Sequence, residues 1–578
     1  MPENADGANG GAAKAADAAK VADAVAGGGA AGAPAGPGAG AGVGSAPPTP
    51  TGMPPAPPGW DPKAWQTYQT RLMRQRRARA GGWSLATLAW AEAARPGAVA
   101  PVSGPVLGAV LASGVAAALL LGDGLGPGLL IAVVPALVAA YAAARRAGRT
   151  IRPWTTVWAL GCIALLAVPA LRDSGWPTAM ALLAALLAGA LALHGSRSWP
   201  GILLSPLGFV DSAVLGVRWA WTGVRSRGDG ARKDRVLPLL KATLVAVVLL
   251  VLFGTLFASA DAAFADVLSG LVPDVSGGDG AVRFLLFLLG AVLAIAAART
   301  AAAPARWDRI AVAPGKARSR VEWALPLVVL NLLFAGFNAV QLTVLFGGYR
   351  KVLEATGLSY SEYARQGFWQ LLWATLLTLA VIALALRWAP RDGAGDRRLV
   401  RSVLGTLCAL TLVVVASALH RMNLYVDAYG LTRLRVSVAG VELWLGLVVA
   451  LIMAAGVFGA RWLPRAVAGS AVAAVLAFGL VSPDGLIAEG NVHRYEQDRK
   501  IDLAYFQSLS ADAVPALDRL PEPQRSCALR GINQDLVRAG DDVPWYAMSL
   551  GERRARQILH DRPVTASYEE CSRLRTFG

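Results

Sequence analysis

The residues best suited to chemistry are concentrated in one segment, HRMNLYVDAYGLTRLRV. There His420, Arg421, Tyr425, Asp427, Tyr429, Arg433 and Arg435 fall within 16 positions. Arg421 and Tyr425 are four apart and share a helix face, and Gly430 supplies a turn ahead of LTRLR. Planar guanidinium forks at this density fit an anion such as a phosphate or a lipid headgroup. The competing reading is internal pairing of these arginines with Asp427 or Asp261.

Four further places carry polar groups that need an explanation. Asp261, in FASADAAFAD with Ser259 and Asp266, suits a cation or a proton, or simply caps a helix end. Glu442 has the same two readings. Asn331, Asn338 and Gln341, in NLLFAGFNAVQL, fall within about 80° of one another at 100° per residue. Such a stripe either lines a path for a solute or hydrogen-bonds to neighbouring helices. In GLSYSEYARQGFWQLL, Ser359 and Glu362 match the S-x-x-E box and predict a helix start. Arg365, with Tyr360, Tyr363 and Trp369 beside it, then serves as an interfacial anchor or as an anion fork.

No catalytic grammar accompanies these residues. There is no G-x-S-x-G, Walker loop, H-E-x-x-H or dinucleotide fingerprint. His194, His420, His493 and His560 are dispersed and there is no CxxC, so neither a metal site nor a cofactor is implied. Cys162 and Cys408 lie in apolar runs. Cys527 and Cys571 lie in a polar tail. If that tail is outside the cytoplasm a disulfide is allowed, closing a loop of about 45 residues and worth about 3–4 kcal/mol in the chain-entropy model; two free thiols are the alternative.

The elements that position these residues follow from composition. The chain has 578 residues, 55% hydrophobic and only 16% charged, with mean hydropathy +0.47. Soluble domains average about 25% charged, so an ordinary soluble enzyme is excluded, as is a wholly disordered chain. The apolar residues form eleven runs near the length that spans a bilayer: 106–121, 125–144, 154–171, 176–193, 237–257, 284–298, 323–346, 368–386, 403–419, 441–458 and 466–481. They lack period-two alternation, which excludes barrel strands. The expected fold is an all-α polytopic transmembrane helix bundle of about 11 spans. Trp154, Trp176, Trp323, Trp388 and Trp462 sit near run ends, as interfacial rings do. Ala181, Ala185 and Gly189, and Gly469 and Ala473, recur at the four-residue spacing that lets helices approach closely.

A net charge of +17 suits nucleic acid in a soluble protein, but here the basic residues serve orientation and no nucleic-acid partner is expected. The loops after spans two, four, six, eight and ten hold about 24 Lys or Arg and the others about 8. That ratio predicts a multi-pass protein of the cell membrane with a cytoplasmic amino terminus. Eleven spans then put the carboxyl tail outside.

The expected organisation has three parts. Residues 1–100 form a disordered Ala/Gly/Pro-rich segment, ending in a basic juxtamembrane stretch with Arg71, Arg74, Arg76, Arg77 and Arg79 suited to an anionic leaflet. Residues 104–485 form the transmembrane domain and 489–578 a polar helical tail. The strings LFASADAAFA, NLLFAGFNAVQ, YSEYARQGFWQLL, RMNLYVDAYGLTRLRV and IDLAYFQSLSADAVPALDRL occur in this order. Over roughly 237–520 the chain resembles the bacterial multi-pass membrane family known as domain of unknown function 4173. The resemblance implies an integral membrane protein and supplies no mechanism. The leading expectation is a membrane scaffold or regulatory component, in contact with membrane lipid and a protein partner through the tail or the amino-terminal segment. The alternatives are a transporter of a small solute or ion, and an envelope enzyme acting on an anionic lipid-linked substrate.

Overall fold

The computed structural model describes residues 94–97, 99–173, 175–225, 279–310, 318–347, 368–390, 393–540 and 542–575, with Asp61, Trp65, Phe253, Phe257 and Asp261 as single positions. The chain divides into Met1–Gly82 and Trp83–Gly578, and the helical bundle with its tail belongs to the second unit. The expectations for the amino-terminal segment, for the run 237–257 and for Arg365 lie outside the described residues.

Every regular element of this unit among the described residues is helical. In hydrocarbon no water satisfies a backbone N–H or C=O, so apolar runs resolve into helices whose bonds close within the segment. The helices are α1 (Gly104–Leu120), α2 (Pro127–Arg146), α3 (Pro153–Leu166, with a short continuation Val168–Leu171), α4 (Gly175–His194), α5 (Trp199–Arg225) and α6 (Asp279–Ala302). They continue as α7 (Arg320–Gly347), α8 (Phe368–Trp388), α9 (Ala394–Tyr429), α10 (Arg433–Phe458) and α11 (Leu463–Val481). The tail follows as α12 (Pro483–Asp498), α13 (Leu503–Phe506), α14 (Val514–Leu517), α15 (Gln524–Arg538), α16 (Leu550–Asp561) and α17 (Tyr568–Arg575). Proline at the first positions of α1, α2, α3 and α11 fixes φ where no helical donor is lost.

Ten of the described helices, α2 to α11, are long and apolar enough to cross a membrane; α1, at 17 residues, is shorter. Nine of the expected runs coincide with long helices. The tenth long helix, α5, is not among the expected spans. Its apolar run is interrupted by Pro206, Asp211 and Arg218, and its hydropathy of 1.5 is the lowest of the ten.

The bundle has two distinct ends. At one, Arg149 donates to the carbonyls of Ala301 and Leu193 at 2.7 and 3.0 Å, tying α2, α4 and α6. Arg465 donates to the Ser196 carbonyl and lies 5.0 Å from the Trp154 ring. Arg320 pairs with Asp396 at 2.6 Å, joining α7 to α9. We call this the arginine face. At the opposite end lie the turns around Asp123, Asp173 and Gly430, and the tail packs against them.

Helix α5 belongs to the arginine face at both ends. Ahead of its first turn, Arg197 and Ser198 donate backbone N–H groups to Asp308, each at 2.9 Å. Near its last turn, Trp219 donates to the Ala100 carbonyl at 2.9 Å. Ala100 precedes α1 on the stretch of chain that also meets the end of α6, where the Arg306 N–H bonds to the Ala94 carbonyl. Small residues, Ser205, Gly208, Ser212 and Gly216, face the bundle, while Leu203, Leu207, Val210 and Val214 are exposed. Thus α5 has the composition of a span but lies across the foot of the bundle.

The tail has its own core, built from Ile487, Val492, Phe506, Val514, Leu517, Leu529 and Ile532. Ile487, Ala488, Val492 and Tyr495 of α12 belong to that core. The Cys527–Cys571 disulfide ties α15 to α17 across a sequence separation of 44.

Candidate functional site

The arginine-rich segment singled out by sequence forms the end of α9, a turn, and the start of α10. Gly430 makes the turn with φ 77°, a conformation that side chains with a Cβ rarely adopt. Thr432 then caps α10 by accepting the Arg435 N–H. This turn is the seat of the tail.

Arg433 makes a two-pronged ion pair with Asp484, Nε to Oδ1 at 2.8 Å and Nη2 to Oδ2 at 2.6 Å. Its Nη2 also donates to the Ser508 carbonyl at 2.8 Å, and its backbone N–H donates to the Tyr505 hydroxyl at 2.7 Å. The Asp484 side chain is 1% exposed, and its Oδ2 also accepts the Ser510 N–H at 2.9 Å. Asn491 grips the turn from the tail side, accepting from the Leu431 N–H at 2.8 Å and donating to the Leu431 carbonyl at 2.9 Å. Arg435 donates to the Tyr429 and Gly430 carbonyls, and its guanidinium lies 4.2 Å from the Tyr425 ring. Arg421 donates to Gln341 Oε1 at 2.8 Å. Asp427 is exposed, and so is Asp261. Arg433 pairs with Asp484, a carboxylate that lies beyond the arginine-rich segment and that the sequence reading did not name. The signal for it was Ser482-Pro483-Asp484-Gly485, a helix-start signature directly after the last span.

A second set of carboxyls joins the tail to the turn between α3 and α4. Asp173 and residues near Asp512 bond reciprocally: the Asp173 N–H donates to Asp512 Oδ1 at 3.2 Å, and the Ala511 N–H donates to Asp173 Oδ2 at 3.0 Å. Ser482 Oγ donates to Asp512 Oδ2 at 2.5 Å. Burial pushes the Asp173 carboxyl up to about 6, with Asp512, Glu552 and Asp484 adding to the rise. Burial raises Asp512 as well, against the opposing pull of the Ser482 hydroxyl.

The contact with the turn between α1 and α2 is of another kind. The Gly128 N–H donates to the Tyr546 carbonyl at 2.8 Å. The Tyr546 hydroxyl donates to Asp123 Oδ2 at 2.8 Å, and Asp123 also pairs with Arg283 at the start of α6.

The polar stripe of α7 faces a packed helix. Asn331 donates to the Val403 carbonyl at 3.0 Å and Asn338 to the Leu410 carbonyl at 2.9 Å. Both donors and both acceptors are seven residues apart, so α7 and α9 run side by side in one register. Gln341 continues the row, accepting from Ser417 at 3.1 Å as well as from Arg421. Glu442 on α10 is completely buried; its Oε1 lies 3.2 Å from Thr375 Oγ1 on α8, and its Oε2 has no hydrogen-bond partner. Among the described residues no group of three or more His, Cys, Asp or Glu is placed to hold a metal ion.

No curated protein and no solved structure matches the chain. One family model does, and its number is not the expected 4173. It spans α4 to α11 whole, from within α3 to the end of the first part of the tail core, and so includes the Arg433–Asp484 and Asp173–Asp512 contacts. Matched over residues 159–520, more than half of its length, this integral membrane chain belongs to the family described as domain of unknown function (DUF4153).

Proposed function

We propose that the protein is a scaffold or regulatory component of a bacterial plasma membrane, and that its carboxyl-terminal domain is the part that meets a protein partner. The observation that carries this reading is the way the tail is held. It docks on the turns after α1, α3 and α9 through separate polar contacts, so a partner bound to the tail is coupled to the whole bundle. The positive-inside rule favours a cytoplasmic arginine face. The tail then lies outside, where the Cys527–Cys571 disulfide persists. Membrane lipid covers the apolar exterior, including the exposed stripe of α5.

The loop arginines favour this reading over an enzyme acting on an anionic lipid. Arg433 and Arg435 spend their donors on Asp484 and on backbone carbonyls. The α7 stripe favours it over a transporter, because Asn331 and Asn338 donate to carbonyls of α9. The test is mild cross-linking in cells followed by purification of the full chain. A partner protein should copurify with the intact chain and be lost on truncation after Glu489. Unchanged recovery of the same partner from the truncated chain sinks the proposal.

A further inference from the structure

Glu442 is a feature of the bundle that tail docking does not use. It lies nine residues into α10 from the tail face, about 13 Å deep at a 1.5 Å rise per residue, and it is 0% exposed. Its Oε2 meets no donor. A carboxylate in hydrocarbon without a cation or a full set of donors is strongly disfavoured.

The hydrogen bonds point the same way. Thr375 Oγ1 lies 3.1 Å from the Leu371 carbonyl and 3.2 Å from Glu442 Oε1. A threonine hydroxyl has a single hydrogen, whereas an ionised carboxylate and a carbonyl only accept. Two acceptors thus compete for one hydrogen. A proton on Glu442 removes the conflict: the carboxylic acid donates to Thr375 Oγ1, and the threonine passes its own hydrogen to Leu371.

The charged groups on the elements packed against Glu442 are engaged elsewhere or lie at helix ends. On α9, Arg421 lies eight residues in from the end at Tyr429, about as deep as Glu442, and donates to Gln341 on α7; His420 is beside it, and Asp427 lies at the helix end. On α10 itself, Arg433 and Arg435 are held by Asp484 and by backbone carbonyls. On α11, Arg465 bonds to the Ser196 carbonyl. On α12, Arg494 donates to the Ala428 carbonyl, and Asp484, Glu489 and His493 lie in the tail. On α8, Arg387 lies at the arginine face.

We infer that Glu442 is an intramembrane proton-binding site: the protonated acid donates to Thr375 and fastens α10 to α8, and loss of the proton to water breaks that fastening. The inference goes beyond the scaffold reading and stands without it. Infrared spectroscopy of the full chain in lipid vesicles tests it. At neutral pH the wild type should show the carbonyl stretch of a carboxylic acid, lowered in D2O and absent in Glu442→Gln. In Thr375→Val the band should persist at higher frequency, because its hydrogen bond is gone. This variant serves if Glu442→Gln does not fold. Absence of any acid band at neutral pH overturns the inference. So does a band that appears only when sodium is withdrawn, which marks a cation site, or a band that Thr375→Val leaves unmoved.

Discussion

The two groups of helices in this bundle hold together by different means. In α1, α2 and α6 most of the buried residues are small, Ala117, Ala132, Ala139, Ala143, Ala294 and Ala298 with Ser113 among them, and Val106, Val110, Leu129 and Ile295 are the larger exceptions. The helices approach until a Cβ on Gly290 would lie 2.7 Å from Ala117 Cβ and 2.8 Å from the Ser113 carbonyl. In α7 to α10 the core is built of larger side chains, Trp323, Leu327, Ile382, Leu407, Val414 and Val449, and the backbones are bridged by Asn331, Asn338 and the Thr375–Glu442 pair. Lipid supplies no hydrophobic drive between helices, so close van der Waals contact and interhelical hydrogen bonds are the two available means. Each group relies mainly on one of them. The tail meets α1 and α2 through a backbone bond at Gly128 and the Tyr546–Asp123 hydrogen bond, and α9 and α10 through an ion pair whose carboxylate is buried.

The largest way to break this contrast is at the ion pair. Arg433→Ala leaves Asp484 buried without its cation, and the loss should be about 3–5 kcal/mol. A double-mutant cycle with Asp484→Leu, read by thermal unfolding in detergent, should return much of that loss. A cycle showing no coupling would mean the tail is held by something else.

Next comes the close-packed group. Gly290→Ala should destabilise by about 1–3 kcal/mol through overpacking. Gly405→Ala on α9, where a Cβ meets nothing within 4 Å, should be neutral or stabilise by up to about 1 kcal/mol, as in any helix interior. Equal effects at the two glycines, compared by the same unfolding assay, would erase the distinction between the groups.

The pH dependence of tail docking should be smaller, because Asp173 is only partly buried. The folded state holds its proton with a pKa of about 6 against an ordinary 3.8, so folding favours the protonated form. The contribution of this group to stability therefore falls as pH rises from about 4 to about 6 and is level above. Asp173→Asn should flatten that slope in protease-protection assays of the tail. A slope that survives the substitution assigns it to Asp512 instead.

The smallest effect belongs to the amide row. Asn338→Leu should cost about 0.6 kcal/mol and no more than about 1.7 kcal/mol, the range for polar contacts between membrane helices. A larger loss, measured by unfolding in detergent, would make the row a main support of α7 against α9.

Sequence alone determined the solvent, the helical class, nine of the long helices, and the paired tail cysteines as candidates for a bond. These follow from local quantities: how apolar a run is, how long it is, and which side of it carries arginine. Sequence also marked Asn331 and Asn338 as sharing a face, since helical period fixes that without a partner. Only the tertiary structure decided which helix received them, that Arg433 pairs with Asp484 at a separation of 51 positions, and that α5 has both ends on one face. Hydropathy is a sum over neighbours in the chain. An ion pair or a helix's path depends on neighbours in space, and for α5 those neighbours, Asp308 and Ala100, lie about a hundred residues off on either side.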